Sequence, residues 1–255
     1  MAVLEKVRDV RLDVPKVGTR KIYDIIRPAL KGMAVGRDRL FSILKVNHML
    51  IVPERSYRIT TNSHHRFRKH KNLIDGLQVS RPEQVWVSDI TYLGSRSKPA
   101  YLALVTDANS KKIVGYSVSD HLDTENCIRA LKMAVSSRQY KGQPLIHHSD
   151  RGVQYCGNEY QKALNRYGIN CSMTESYDPY QNAVAERVNG ILKQEFMIDR
   201  YTVELPVLKK IVAESINIYN KKRPHYSCYY KTPEQMHQQN EIVIRTYKKN
   251  KPSKE

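Results

Sequence analysis

The chain has 255 residues, 40% of them apolar, which is enough for one large domain or one medium domain with a small companion. Lys and Arg outnumber Asp and Glu by 43 to 25, for a net charge of +18 and a pI near 9.7; a field that basic attracts polyanions, nucleic acid first, against the plainer reading of a solubilising surface. No run approaches the roughly 20 apolar residues of a membrane span, the N-terminus lacks the apolar core of a signal peptide, and four scattered cysteines (Cys127, Cys156, Cys171, Cys228) lack C-x-x-C spacing, so a cytoplasmic protein with reduced thiols is expected.

Charge clusters at the two ends: residues 1–79 carry 17 Lys/Arg against 7 Asp/Glu, and residues 209–255 carry 11 against 4. In "GTRKIYDIIRPAL", Ile22, Ile25, Ile26 and Leu30 recur at helical spacing. Pro28 weakens that helix, since an interior proline removes a hydrogen bond. After "KGMAVGRD" the pattern resumes in "RDRLFSILKVNHML". Two short basic helices around a glycine-containing turn fit either a helix-turn-helix-like unit or a generic helical hairpin. Residues 52–80, with "NSHHRFRKHKNLIDG", read as a basic linker or arm.

From residue 81 the texture turns to strand. "EQVWVSDITYL", "YLALVTDA" and "KIVGYSVSD" are linked by short polar segments and predict a three-stranded antiparallel meander. "DTENCIRALKMAVSSRQ" predicts a helix capped by Asp123 or Thr124. "PLIHHS" is a fourth strand, "GNEYQKALNRYG" a helix ended by Gly168, "INCSM" a fifth strand. "QNAVAERVNGILKQEF" and "LPVLKKIVAESINIYNKK" close the series as helices. The order βββ-α-β-α-β-α-α is a mixed α/β layout.

Three acids in this layout invite a chemical reading. Asp89 lies inside the first strand, where an unpaired carboxylate is expensive to bury. Asp150 follows directly from the fourth strand, where open α/β sheets expose their chemistry. Glu186 shares a helix stripe with Asn189, Gly190 and Lys193, although a lone Glu and Lys so spaced are ordinarily a solvent face. Two carboxylates about 4 Å apart repel by roughly 4 kcal/mol at an effective dielectric of 20. A cluster of three persists only if it is protonated, kept apart or neutralised by cations, and for the last, hard oxygen ligands suit Mg²⁺ or Mn²⁺. Two such ions would attract a phosphodiester and activate a water or hydroxyl for in-line attack. Asp107 reads as structural, Asp178 as a turn residue, and His147 and His148 as either phosphate contacts or hydrogen-bonded core histidines.

The pieces "WVSDITYL", "YLALVTDANSKKIVGYSVS", "HHSDRGVQY", "SMTESYDPYQNAVAERVNGILKQE" and "YNKKRPHYSCYYKTPEQ" run in one order from about residue 80 to 238. In them the chain resembles the second-reading-frame protein of the IS-three family of bacterial insertion-sequence transposases, retroviral-integrase-like DDE recombinases. The 35 residues between Asp150 and Glu186, and a basic residue seven after the glutamate (Lys193), match the family pattern. One departure is Gln181-Asn182, where the family usually has Asp-Asn.

The resemblance implies a ribonuclease H-like fold, a mixed five-stranded sheet flanked by helices, with a small N-terminal helix-turn-helix-like domain. It divides the chain into a DNA-binding segment (1–52), a linker (53–80), a catalytic core (81–240) and a basic tail (241–255). It implies metal-dependent 3′-end cleavage and strand transfer, with Asp89, Asp150 and Glu186 holding two Mg²⁺ or Mn²⁺ ions. Lys193, His148, Arg151, Arg187, Arg37 and Arg39 are then the expected DNA contacts. Double-stranded DNA, a homo-oligomer and the upstream-frame protein are the expected partners. The rival readings are a non-catalytic DNA-binding regulator derived from a transposase and a ribonuclease H-like nuclease.

Overall fold

The computed structural model describes residues 2–52, 70–95, 98–175, 182–239, 241 and 244. Three N-terminal helices come first: α1 (Ala2–Asp13), α2 (Thr19–Gly32) and α3 (Arg37–Val46). The core follows as β1 (Val85–Gly94), β2 (Pro99–Asp107), β3 (Ile113–Ser119), α4 (Thr124–Ser136), β4 (Ile146–Ser149), α5 (Val153–Cys156), α6 (Asn158–Arg166), β5 (Asn170–Met173), α7 (Ala183–Phe196), α8 (Leu205–Lys221) and α9 (Pro233–His237). No helix among the described residues is long and apolar enough to cross a membrane.

The five strands form one sheet in the order β3-β2-β1-β4-β5. β1–β2 and β2–β3 pair antiparallel, as the short links require, while β1–β4 and β4–β5 pair parallel through helical crossovers. Strand alternation splits the sheet into two covered faces. Trp86, Ile90, Ala103, Val105 and Val114 pack on α4 and α6 through Leu131, Ala134, Tyr160 and Leu164. Val85 and Val87 meet Ala185 of α7, and Leu93, Leu102 and Leu104 join Val188, Ile191 and Leu192. β3 approaches α4 so closely that a Cβ on Gly115 would lie 2.2 Å from the Ala130 carbonyl oxygen. Asp123 caps α4, its side chain accepting from the Asn126 N–H.

Three local outcomes differ from the sequence reading. α2 runs unbroken through Pro28, because Ile22, Ile26 and Leu30 are buried on one stripe and their packing outweighs the missing hydrogen bond. The N-terminal "AVLEKVRDVRLD" is a helix, with Val7 fully buried against the rest. Residues 70–80, read as tether, are docked: the Leu73 N–H donates to Ser172 Oγ, the Met173 N–H to the Lys71 carbonyl, and Ile74, Leu77 and Val79 pack on Val85 and Val87. Their few aliphatics were masked by the surrounding charge. Residues 53–69 of the expected linker, Asp178, and most of the expected tail lie outside the described residues.

Candidate active site

The parallel pairing of β1 with β4 builds the site. Its register aligns Trp86 with His147, Val87 with His148 and Ser88 with Ser149. One step further along both strands stand Asp89 and Asp150. Neighbouring strands lie about 4.8 Å apart, so two carboxylates separated by 60 residues of chain become neighbours. Asp150 is shaped by the turn after it, its Oδ1 accepting from the Gly152 N–H at 3.0 Å. A Cβ on Gly152 would stand 3.0 Å from that oxygen, so a side chain there would crowd the Asp150 carboxylate.

α7 is fastened across β1 at two points. Asn182, its N-cap residue, donates to the Ser88 carbonyl at 3.0 Å, and Asn189 donates to Asp89 Oδ2 at 2.8 Å. Glu186 lies four residues after one anchor and three before the other, so helical periodicity turns it to the same side. Glu186 is exposed, while Asp89 and Asp150 are partly buried.

The three acids feel one another. Burial first, then the charge of Asp150, push Asp89 up from 3.8 to about 7; Asn189 and the Ile90 N–H oppose the rise, and Glu186 adds to it. Glu186 is raised by burial and by Asp150. Even so, no group of three histidine, cysteine, aspartate or glutamate side chains among the described residues is arranged to enclose an ion by itself. Glu186 is the most exposed of the three. Their donor chemistry fits a hard divalent cation, since the set is all carboxylate and its mutual repulsion is the kind a cation relieves.

The other expected contacts scatter. Lys193 is partly exposed two turns along α7 on the Glu186 stripe, and Arg151 is partly buried beside Asp150. Arg187 is exposed, and its charge is felt by Lys21, Tyr219 and His225, on the flank of α7 toward α2 and the end of α8. Arg37 and Arg39 are exposed on the first turn of α3, and Arg37 pairs with Asp38 at 2.8 Å.

His148 must be corrected as a DNA contact. It is fully buried, its Nδ1 2.9 Å from Ser172 Oγ, because β4 is a central strand covered on both faces. His147 is buried on the other face, with Nε2 2.7 Å from Ser88 Oγ and 2.9 Å from Tyr160 Oη. Burial and the neighbouring His148 lower it to about 3, so it is a neutral core imidazole.

Asn182 and Asn189 were not foreseen as the residues that fasten α7 to β1. The available signal was Asn189 on the Glu186 stripe, since asparagine is a poor helix-interior residue and needs a reason to be there.

Residues 79–179 match an integrase core domain model, and residues 167–233 match a second integrase core domain model. The uncharacterized 31 kDa protein of insertion element IS600 from Shigella sonnei is 35% identical over 210 residues, 82% of this chain and 76% of that relative. The transposase InsF of insertion sequence IS3A from Escherichia coli K12 is 33% identical over 172 residues, 67% of this chain and 59% of that relative. The chain belongs to the IS3 family of insertion-sequence transposases. Among solved structures, a simian T-cell lymphotropic virus intasome in complex with PP2A regulatory subunit B56 gamma matches with a TM-score of 0.55 at 20% identity. The match covers 91% of this chain and 78% of that one. It establishes the fold: this IS3-family transposase carries a ribonuclease H-like integrase core with helices before it. The acids Asp89, Asp150 and Glu186 lie within the residues matched to the two core models.

Proposed function

We propose that this transposase cuts the 3′ ends of its insertion sequence and joins them to new DNA, with Asp89, Asp150 and Glu186 as the reaction centre. What supports the reading is the β1–β4 pairing that brings Asp89 next to the strand end bearing Asp150, with Glu186 on the helix that Asn182 and Asn189 fasten to β1; the charges of Asp150 and Glu186 raise Asp89, and that of Asp150 raises Glu186. Carboxyl groups that raise one another in this way cluster at functional sites. The three residues would hold Mg²⁺ or Mn²⁺, two ions by the family's pattern. Bound there, the ions would lower the pKa of a water or a 3′-hydroxyl and offset the charge of the phosphodiester.

The chain's own groups do the rest. Asn189 keeps one Asp89 oxygen aimed and its charge stabilised by a hydrogen bond. The Gly152 N–H does the same for Asp150. Lys193, two turns beyond Glu186, contacts the DNA backbone next to the scissile phosphate, and Arg151 lies next to Asp150. Arg187, Arg37 and Arg39 would contact phosphates farther from the reaction centre, in keeping with the chain's net charge of +18. Double-stranded DNA is the partner, bound by an assembly of several copies that holds two ends, with the upstream-frame product of the element as a further partner.

The test is a joining assay on oligonucleotides bearing the inverted repeats that flank this gene, run with the chain alone and fused to the upstream-frame product. Asp150→Asn should remove Mg²⁺-dependent cleavage and joining while leaving salt-dependent DNA binding in place. Joining near the wild-type level would overturn the assignment. Steeply salt-dependent binding without any cleavage by the wild type would favour a non-catalytic regulator.

A further inference from the structure

We infer that Glu195 is a positioning residue that couples the N-terminal helices to the acid-bearing face of α7, with Arg223 and Lys21 as its two handles. The inference rests on the reading of Asp89, Asp150 and Glu186 as the reaction centre.

Glu195 lies nine residues after Glu186 on α7. At 3.6 residues per turn that is two and a half turns, so the two glutamates point to opposite sides of one helix. The Glu186 side is fastened to β1 by Asn182 and Asn189. The Glu195 side is gripped just as specifically. Arg223, following α8, donates from Nε to one carboxylate oxygen and from Nη2 to the other, both at 2.8 Å. Lys21 of α2 donates to the same carboxylate at 3.0 Å. The Lys16 N–H, in the α1–α2 connection, donates to the Glu195 backbone carbonyl at 2.9 Å. Three separate stretches of chain therefore converge on one residue.

The chemistry of this cluster sets it apart from an ordinary surface pair. Arg223 is only 1% exposed and Glu195 8%. Burial alone would push Glu195 up, but Arg223 and Lys21 outweigh it and hold the carboxyl below its ordinary value. A buried pair survives only with such two-pronged geometry and full hydrogen bonding. Lys21 is the member the pair does not need for charge balance, since Arg223 alone neutralises Glu195. Its own charge is disfavoured by burial and by Arg223 and Arg187. What Lys21 adds is a link from α2 to α7. A helix held on opposite sides cannot roll, so loosening α2 loosens the rotational setting of Glu186 and Asn189 over Asp89.

The experiment uses the full chain and Lys21→Met, which keeps the aliphatic stem and removes the charge. Two quantities are read: hydrogen exchange of residues 183–190, and Mn²⁺ affinity by calorimetry. Exchange there should rise, and Mn²⁺ affinity fall, each by at least about threefold, with little change in melting temperature. Lys21→Arg should restore both. A purely local role would instead raise exchange only in α2 and the last turn of α7, and that result overturns the inference. Wild-type protein that binds no Mn²⁺ would overturn the metal-centre reading and with it the functional side of the inference; the exchange result still decides whether α2 and α7 are coupled. Glu195→Gln, if it folds, should exceed Lys21→Met in both readouts; an unchanged exchange pattern in it also overturns the inference.

Discussion

Replacing Asp89 by asparagine should destroy the proposed metal chemistry and yet stabilise the metal-free protein, in a pH-dependent way. Forcing a carboxyl whose pKa has been carried from 3.8 to about 7 to ionise costs about 4 kcal/mol. Asp89 is partly reached by solvent, so about 2 kcal/mol is the working figure and 4 the ceiling. The sign follows from the direction. A raised carboxyl costs nothing below its unfolded value, the cost grows as pH climbs, and it is complete above the folded value. Asparagine carries no such cost. It also fits: its oxygen can accept from the Ile90 N–H as Asp89 Oδ1 does at 2.9 Å, and its amide can donate to Asn189. The Asn189 oxygen is buried without a partner among the described residues, and an amide flip presents it. In EDTA at pH 8, Asp89→Asn should melt higher than wild type by about 4–8 °C for a domain of this size. At pH 4.5 the gain should shrink to about a quarter of that. Mn²⁺ at pH 8 should raise the wild type and leave the variant unmoved. A difference equal at both pH values, or a variant that melts lower at pH 8, would refute the account of Asp89 as a carboxylate held against its own charge.

Asn189→Ala should leave α7 with one anchor and deprive Asp89 of a donor that lowers its pKa, so Asp89 should titrate at higher pH. Carboxyl-carbon NMR of the two proteins checks the direction, and a downward move contradicts the assignment; the stability loss should be about 1–2 kcal/mol. His237 of α9 is buried beside Glu83 and Asp107, with its Nδ1 2.9 Å from Ser110 Oγ. Burial lowers its pKa, but the bonds to Asp107 and Glu83 prevail and raise it overall. Stability from this pair is therefore full at pH below 6.5 and is lost as pH rises through the folded value. Exchange of residues 233–237 should quicken from pH 6 to pH 8.5 in the wild type beyond its intrinsic pH dependence, and His237→Gln should abolish that excess; an equal excess in both proteins would remove His237 as the cause.

Much of this protein was legible in its sequence because the signals were local. The β-branched and aromatic residues of "VWVSDITYL", the cap at Asp123, the glycine stop at Gly168 and the apolar stripe of α7 each name an element by a few consecutive residues. The same local rules placed Asp89 mid-strand, Asp150 at a strand end and Glu186 on a stripe with Asn189. They could not say that Asp89 and Asp150 stand side by side, because the β1–β4 register is a pairing between segments about 60 residues apart, set by which faces bury together. Nor could they say that His148, next but one to a candidate catalytic acid, is sealed in the core: burial depends on β4 lying between β1 and β5 with both faces covered. Residues 70–80 looked like a tether because composition averages over side chains, whereas docking is decided by a few contacts. The Glu195 junction was invisible for the same reason, since its members come from residues 16, 21, 195 and 223 and acquire meaning only when packing brings them to one point.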